Sequence, residues 1–215
     1  MQLVLATNNA KKLAELQVLL APAGVALVSQ NSLGLAEAEE PHPTFIENAL
    51  AKARHAAHLS GEPAIADDSG LCVDSLGGAP GVGSARLASV VLPDKATNAG
   101  TGREVQRGVQ DAANNRLLLE RLAGVTDRRA HFIATLVALR SADDPEPLIA
   151  VGRWQGEILQ APDGAGGFGY DPLMFIPALG ASVASLAAGV KNAHSHRALA
   201  ARQMLVLLRD VWHLG

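Results

Sequence analysis

Asp67 and Asp68 stand side by side in AIADDSGLCVDSLGGAPGVGSAR (64–86), after an apolar run and before a stretch rich in glycine. Adjacent carboxylates repel each other, so a pair at the edge of a core calls for positive charge nearby. A magnesium ion is one candidate, because it takes one or two carboxylates and completes its shell with waters and phosphates. Read as the end of the strand PAIAD (63–67), the pair lies where α/β folds collect ligands. Side chains of extended backbone alternate between two faces, so at most one aspartate points directly into a given site. The remaining acidic residues of this set are Glu37, Glu39, Glu40 and Asp74. The glutamate run reads mostly as a solvated loop.

Three further stretches carry chemistry. TNNAKK offers Thr7, Asn8 and Asn9 as short donors and Lys11 and Lys12 as charge, at the start of a helix. Free N–H groups and the positive dipole end make such a start an anion site. The plainer reading is an Asn cap followed by two solvated lysines. It is no Walker loop, since G-x-x-x-x-G-K-[ST] is absent. In SHRALA, Ser195 reads as an N-cap, which puts His196 and Arg197 in the first helical turn. The dipole opposes cations there, and a bound phosphate would reverse that sign. Lys191 adds a third basic group, and a surface basic cluster is the alternative. GGFGYDP sets Phe168 and Tyr170 beside glycines that permit close backbone approach. An aromatic ring there can stack on a nucleobase or simply close the core.

The elements that must position these residues follow from periodicity. QLVLA (2–6) reads as a buried strand, and Leu13, Leu16, Leu19 and Leu20 recur at helical spacing after it. PTFIENALAKARHAAHL is a second helix, with Thr44 and Glu47 spaced as a capping box. ASVVLPDKATNAGTGREVQRG has weak periodicity and reads as a long loop. DAANNRLLLERLAG is a helix that Gly124 ends. AHFIATLVALR and LIAVGRWQGEIL are strands joined by SADDPEP. A glycine-rich loop runs through GGFGYDP into an apolar segment, and SHRALAARQMLVLLRDVW is the closing helix. The class is α/β, with some antiparallel pairs in the sheet.

Composition narrows the function. The chain of 215 residues is 48% hydrophobic, enough for one substantial core. With 18 basic and 21 acidic side chains its net charge is −3, so no general field attracts a nucleic acid. Any anionic ligand must be held by a local cluster of cations. Cys72 is the single cysteine, which suits a reducing compartment and leaves no intrachain disulfide. MQLVLATNN lacks the basic start and apolar stretch of a signal peptide, and no apolar run is long enough to span a membrane. The expectation is a cytoplasmic protein that binds neither nucleic acid nor membrane.

Taken together, LATNNAKKLAEL, TFIENALAKARHAA, AIADDSGLCVDSLGGAPGVGSAR, GGFGYDP and KNAHSHRALA resemble the inosine triphosphate pyrophosphatase family, in its order and from end to end of the chain. The resemblance implies one bilobal domain over 1–215, with a long twisted mixed sheet flanked by helices and a central cleft, and a homodimer. It implies Mg²⁺-dependent hydrolysis of ITP, dITP and XTP to the monophosphate and pyrophosphate. By the same resemblance, Thr7, Asn8, Asn9, Ala10, Lys11 and Lys12 would hold phosphates. Glu40 and Asp68 would serve the metal, with Asp68 also the catalytic base. Ser69, Phe168, Gly169, Tyr170, Asp171, Lys191, His196 and Arg197 would contact the nucleotide. One departure is Gly83, where the family carries a tyrosine. Two rivals are a Maf-type pyrophosphatase acting on modified pyrimidine nucleotides and a nucleotide-binding module without turnover. The SHR and FGYDP segments oppose the first, and the aspartate pair with Lys12 opposes the second.

Overall fold

The computed structural model describes residues 1–88 and 101–214, with side chains in the second stretch from residue 105 onward. The elements are β1 (Gln2–Leu5), α1 (Ala10–Leu20), β2 (Ala26–Ser29), α2 (Phe45–Ser60), β3 (Ala64–Val73), α3 (Thr101–Arg121), β4 (Arg129–Leu139), β5 (Leu148–Ile158), β6 (Met174–Ile176), β7 (Ala181–Ser182), α4 (Ala188–His194) and α5 (His196–Trp212). The strands form a sheet in the order β2-β1-β3-β4-β5-β6-β7. β1 runs parallel to β2 and β3, and β6 runs antiparallel to β5 and β7. The sheet is therefore mixed and the α/β expectation holds.

Two expectations need correction. β3 does not stop at Asp67 but continues to Val73, so the aspartate pair lies inside the strand and not at its end. Paired charges read as a strand end because the sequence alone does not show the cations that meet them. The long-loop reading of 88–108 also fails in part. Residues 101–108 are the first turns of α3, while 89–100 lie outside the described residues. Val105 and Val109 are exposed, so this part of the helix carries no apolar stripe to betray it. The short elements β2, β7 and α4 carried too few residues for a periodic signal.

The chain divides into two compact units. The first comprises Met1–Ser69, Ile133–Trp154 and Asn192–Gly215. Its helices cover both faces of its strands, and alternation decides which residue goes where. Leu3, Leu5, Ile65, Leu136 and Ala138 pack with Leu16 and Leu20 of α1 and with Ala200, Met204 and Leu208 of α5. Their neighbours in sequence, Val4, Ala6, Ala64, Ala66 and Val137, pack with Ala49, Ala53, Ala56 and Ala57 of α2. Side-chain caps begin all three helices. Asn9 accepts from Lys11 and Lys12 N–H, Thr44 from Glu47 N–H, and Ser195 from Ala198 N–H. The Thr44–Glu47 pair is a variant of the expected box, with the threonine hydroxyl donating to the glutamate carboxylate at 2.6 Å.

The second unit comprises Gly70–Phe132 and Gln155–Lys191. It holds α3, β6 and β7, and the loop that ends at Arg86 folds as two short 3-10 turns. A Cβ built at Gly83 in the second of these turns meets nothing within 4 Å, so the turn has room for a side chain at this position.

In the first unit, Gly152 of β5 lets α5 begin directly against the sheet. A Cβ there would fall 2.0 Å from the His196 carbonyl oxygen and 2.5 Å from the Ala200 nitrogen, both backbone atoms. Gly152→Ala must push the first turn of α5 outward. The expected loss is about 1–3 kcal/mol or more, visible as a Tm lower by roughly 2–4 °C per kcal/mol. An unchanged Tm would show that α5 is not seated as described.

Candidate active site

The alternation of β3 sends the two aspartates into different layers. Asp67 follows Ile65 onto the face covered by α1 and α5, and Asp68 follows Ala66 onto the face covered by α2. Each meets cations from the helices on its own side.

On the α1/α5 side, Lys12 Nζ lies 2.8 Å from Asp67 Oδ2. Arg197 directs Nε and a terminal nitrogen at the same oxygen, both at 3.3 Å. Its other terminal nitrogen donates to Glu15, and the terminal nitrogen facing Asp67 also donates to Ser69 Oγ at 3.0 Å. Ser69 Oγ in turn donates to Asp67 Oδ2 at 3.2 Å. Asp67 is 1% and Arg197 2% exposed. Burial alone would raise the Asp67 pKa, but Lys12 and Arg197 outweigh it and hold the carboxyl far below the usual range. Burial, with Arg197 nearby, lowers the pKa of Lys12 despite its partner Asp67.

On the α2 side, Lys52 Nζ bridges Asp68 Oδ1 at 2.7 Å and Glu40 Oε1 at 2.8 Å, and donates to the Asp67 carbonyl at 3.0 Å. Burial would lower the Lys52 pKa, but the two carboxylates together raise it. Asp68 is pushed the other way from Asp67. Burial raises its pKa, and Glu40 adds to this, against the pull of Lys52. Asp68 Oδ2 is buried without a hydrogen-bond partner among the described residues. A carboxylate held by one oxygen, with the other unengaged and its proton affinity raised, is equipped to accept a proton or bind a cation.

The remaining expected residues of this unit lie around the start of α1. Thr7 Oγ accepts from Asn9 N–H, and Asn8 Oδ1 accepts from Gln30. Asn9 is the cap, Ala10 and Lys11 are exposed, and Lys12 turns inward. The reading of two solvated lysines therefore holds for Lys11 alone. His196 is buried in the first turn of α5 beside Arg197. Sequence reasoning left the part of Lys52 open and missed Glu15. The available signal for Lys52 was its spacing, since it falls on the buried stripe of Asn48, Ala49, Ala53 and Ala56.

In the second unit, Lys191 Nζ lies 2.8 Å from Asp171 Oδ2 and 4.7 Å from the centre of the Phe168 ring. The same Asp171 oxygen accepts from Phe168 N–H at 3.0 Å. Gly167, at φ +76°, makes room for this, because a Cβ there would fall 2.0 Å from Asp171 Oδ2. Gly169 is fixed through its backbone, its N–H donating to Asp111 at 2.8 Å. Tyr170 turns away into the interior and donates its hydroxyl to the Ser84 carbonyl at 2.8 Å. Burial holds its phenol well above the usual pKa. Phe168, Asp171 and Lys191 thus form one cluster, and the Tyr170 side chain joins the fold.

The helix dipole suggests that removing Arg197 costs the free protein little stability, but its buried partners argue the opposite. The helix dipole disfavours a cation in the first turn by only ~0.3–1 kcal/mol. Against this stand two carboxylates, buried or partly so, that Arg197 pairs with. Arg197→Ala should therefore destabilise the protein by about 3–5 kcal/mol, the cost of breaking a buried pair. Urea unfolding measures it, and a loss under about 1 kcal/mol would mean the pair is effectively solvated.

Residues 3–207 match the model of the Ham1 family. A dITP/XTP pyrophosphatase of Leptothrix cholodnii is 68% identical over 215 residues, all of both chains. One of Methylibium petroleiphilum is 69% identical over 212 residues, 99% of each chain. A solved HAM1 protein from Coxiella burnetii superposes with a TM-score of 0.83 at 39% identity, covering 98% of this chain and 100% of the other. The match runs through every segment that carries the site, and the chain belongs to the Ham1 family.

Proposed function

We propose that this chain hydrolyses irregular purine nucleoside triphosphates, ITP, dITP and XTP, to the monophosphate and pyrophosphate. The observation that carries the reading is Asp68: buried, tied to Lys52 through one oxygen, with the other unengaged. The relatives named dITP/XTP pyrophosphatase, at 68% and 69% identity, support the same substrate class. They also weigh against the Maf-type alternative.

In this reading, water attacks the α-phosphorus while the bond to the oxygen bridging the α- and β-phosphates breaks, and pyrophosphate departs. Asp68 Oδ2 takes the proton of the attacking water, a role its raised pKa favours. Thr7 to Lys12 offer the phosphates the N-terminal end of α1, and Lys12 exchanges Asp67 for a phosphate oxygen. His196 and Arg197 stand at the corresponding end of α5.

The donor set fits magnesium. Asp68 and the Glu40 carboxylate would hold the ion beside Lys52. Among the described residues there is no cluster of three or more His, Cys, Asp or Glu able to hold a metal. Two carboxylates plus substrate phosphates are the usual magnesium pattern. When bound, the ion offsets phosphate charge that the protein's cations would otherwise face alone.

The Phe168 cluster suits the base. Phe168 stacks on it, Lys191 donates to the 6-oxo group, and Asp171 accepts from N1–H. Adenine reverses both polarities, and a mismatch of this kind discriminates by roughly 10⁴–10⁵. Rejection of guanine falls to its 2-amino group. No helix of the described residues is long and apolar enough to cross a membrane. A homodimer in the cytoplasm completes the proposal.

Asp68→Asn should lower kcat for XTP and ITP by at least about 10²-fold while the protein stays folded, since Lys52 keeps Glu40 and the Asp67 carbonyl. Pyrophosphate release measures this. Near-parental turnover would remove Asp68 from the chemistry, and no turnover by the parent protein on any of these nucleotides would favour the binding-module rival. Chelation with EDTA should abolish turnover and added Mg²⁺ restore it, whereas turnover unaffected by EDTA would exclude the magnesium reading.

A further inference from the structure

α3 presents four polar side chains to two loops of the second unit. Gln110 and Asn114 serve the stretch from Ser84 to Ala88. Asn114 Nδ2 donates to the Ser84 and Ala85 carbonyls at 3.3 and 3.2 Å, its Oδ1 accepts from Ala88 N–H at 2.9 Å, and Gln110 donates to the Ala88 carbonyl at 2.8 Å. Asp111 and Asn115 serve a different loop and converge on one residue. Gly169 N–H donates to Asp111 Oδ2 at 2.8 Å, and Asn115 Nδ2 donates to the Gly169 carbonyl at 3.0 Å. Residues four apart on a helix are neighbours on one face, so the pair grips both polar groups of Gly169 from a rigid support.

Gly169 sits at φ +62° between Phe168 and Tyr170. Its N–H belongs to the peptide that follows Phe168, so the grip holds the backbone on one side of Phe168. On the other side, Phe168 N–H is bonded to the Asp171 oxygen that also holds Lys191. We infer that Asp111 and Asn115 are positioning residues for base recognition: they set the Phe168 ring and the Asp171–Lys191 pair without touching the nucleotide. The inference rests on the assignment of the Phe168 cluster to the base.

The chemistry of Asn115 distinguishes this from general stabilisation. Its Oδ1 is buried with no hydrogen-bond partner among the described residues, which costs stability. The amide cannot turn over to relieve it, because Oδ1 would then face the Gly169 carbonyl. The two residues hold the peptides on both sides of Gly169, and those peptides belong to the Phe168 loop.

The test separates base from phosphate. For Asp111→Ala and Asn115→Ala, KM for ITP and XTP should rise about tenfold, with kcat within threefold of the parent. The inhibition constant of inorganic tripolyphosphate, which lacks a base, should stay within twofold. Asp111→Asn keeps an acceptor for Gly169 N–H and should recover most of the lost KM. A parental KM in both alanine variants, or a tripolyphosphate constant rising in step with KM, would overturn the inference. If Asp111→Ala does not fold, Asn115→Ala and Asp111→Asn still decide it, since Asp111→Asn should be near parental and Asn115→Ala should not. Phe168→Ala serves as the control on the underlying reading. If it raises KM for ITP and the α3 variants do not, the base assignment stands and the positioning role falls. If Phe168→Ala leaves KM unchanged, the base assignment itself is wrong.

Discussion

The period-two alternation of β3 governs the candidate site. Two adjacent carboxylates in one strand must enter opposite layers. Each is then buried where only a helix from its own side can reach it. Asp67 draws Lys12 from α1 and Arg197 from α5, and Asp68 draws Lys52 from α2. The same alternation assigns Leu3 and Leu5 to one core and Val4 and Ala6 to the other. A slip of one residue in β3 would exchange the aspartates and mispair all three cations, so register and electrostatics enforce each other.

The division also separates the two aspartates chemically. Asp67 lies among fixed cations and stays ionised, which makes it the anchor between α1 and α5. Asp68 shares one lysine with Glu40, and burial with the neighbouring Glu40 charge raises its proton affinity. Two carboxylates with opposite shifts in proton affinity are thus neighbours in sequence. The N-terminal turns of α1 and α5 are joined through Asp67, with Glu15 and Ser69 among the contacts of Arg197.

Much of this was legible in the residues. Strong periodicity exposed α1, α2, α5, β4 and β5, and the caps Asn9, Thr44 and Ser195 could be read from residue type and position. The opposite facing of Asp67 and Asp68 follows from strand geometry alone. What supplies their positive charge did not follow. A magnesium ion was expected to account for the pair, whereas three side chains of the chain itself already compensate it, and they come from positions 12, 52 and 197. Pairings at such separations have no local signature. The helix dipole misled for the same reason, since a local rule predicted an uneasy Arg197 and the buried carboxylates outweigh it. The start of α3 escaped because its exposed face carries no apolar repeat.

The central claim is that Asp67 is the structural partner of Arg197 and Asp68 is not. Double-mutant cycles measured by urea unfolding test it directly, using Asp67→Asn and Asp68→Asn each combined with Arg197→Met. The Asp67–Arg197 cycle should give a coupling of about 1–3 kcal/mol, and the Asp68–Arg197 cycle should be additive within about 0.5 kcal/mol. Additivity in the first cycle, or equal coupling in both, would contradict the division of the pair between the two faces of the sheet.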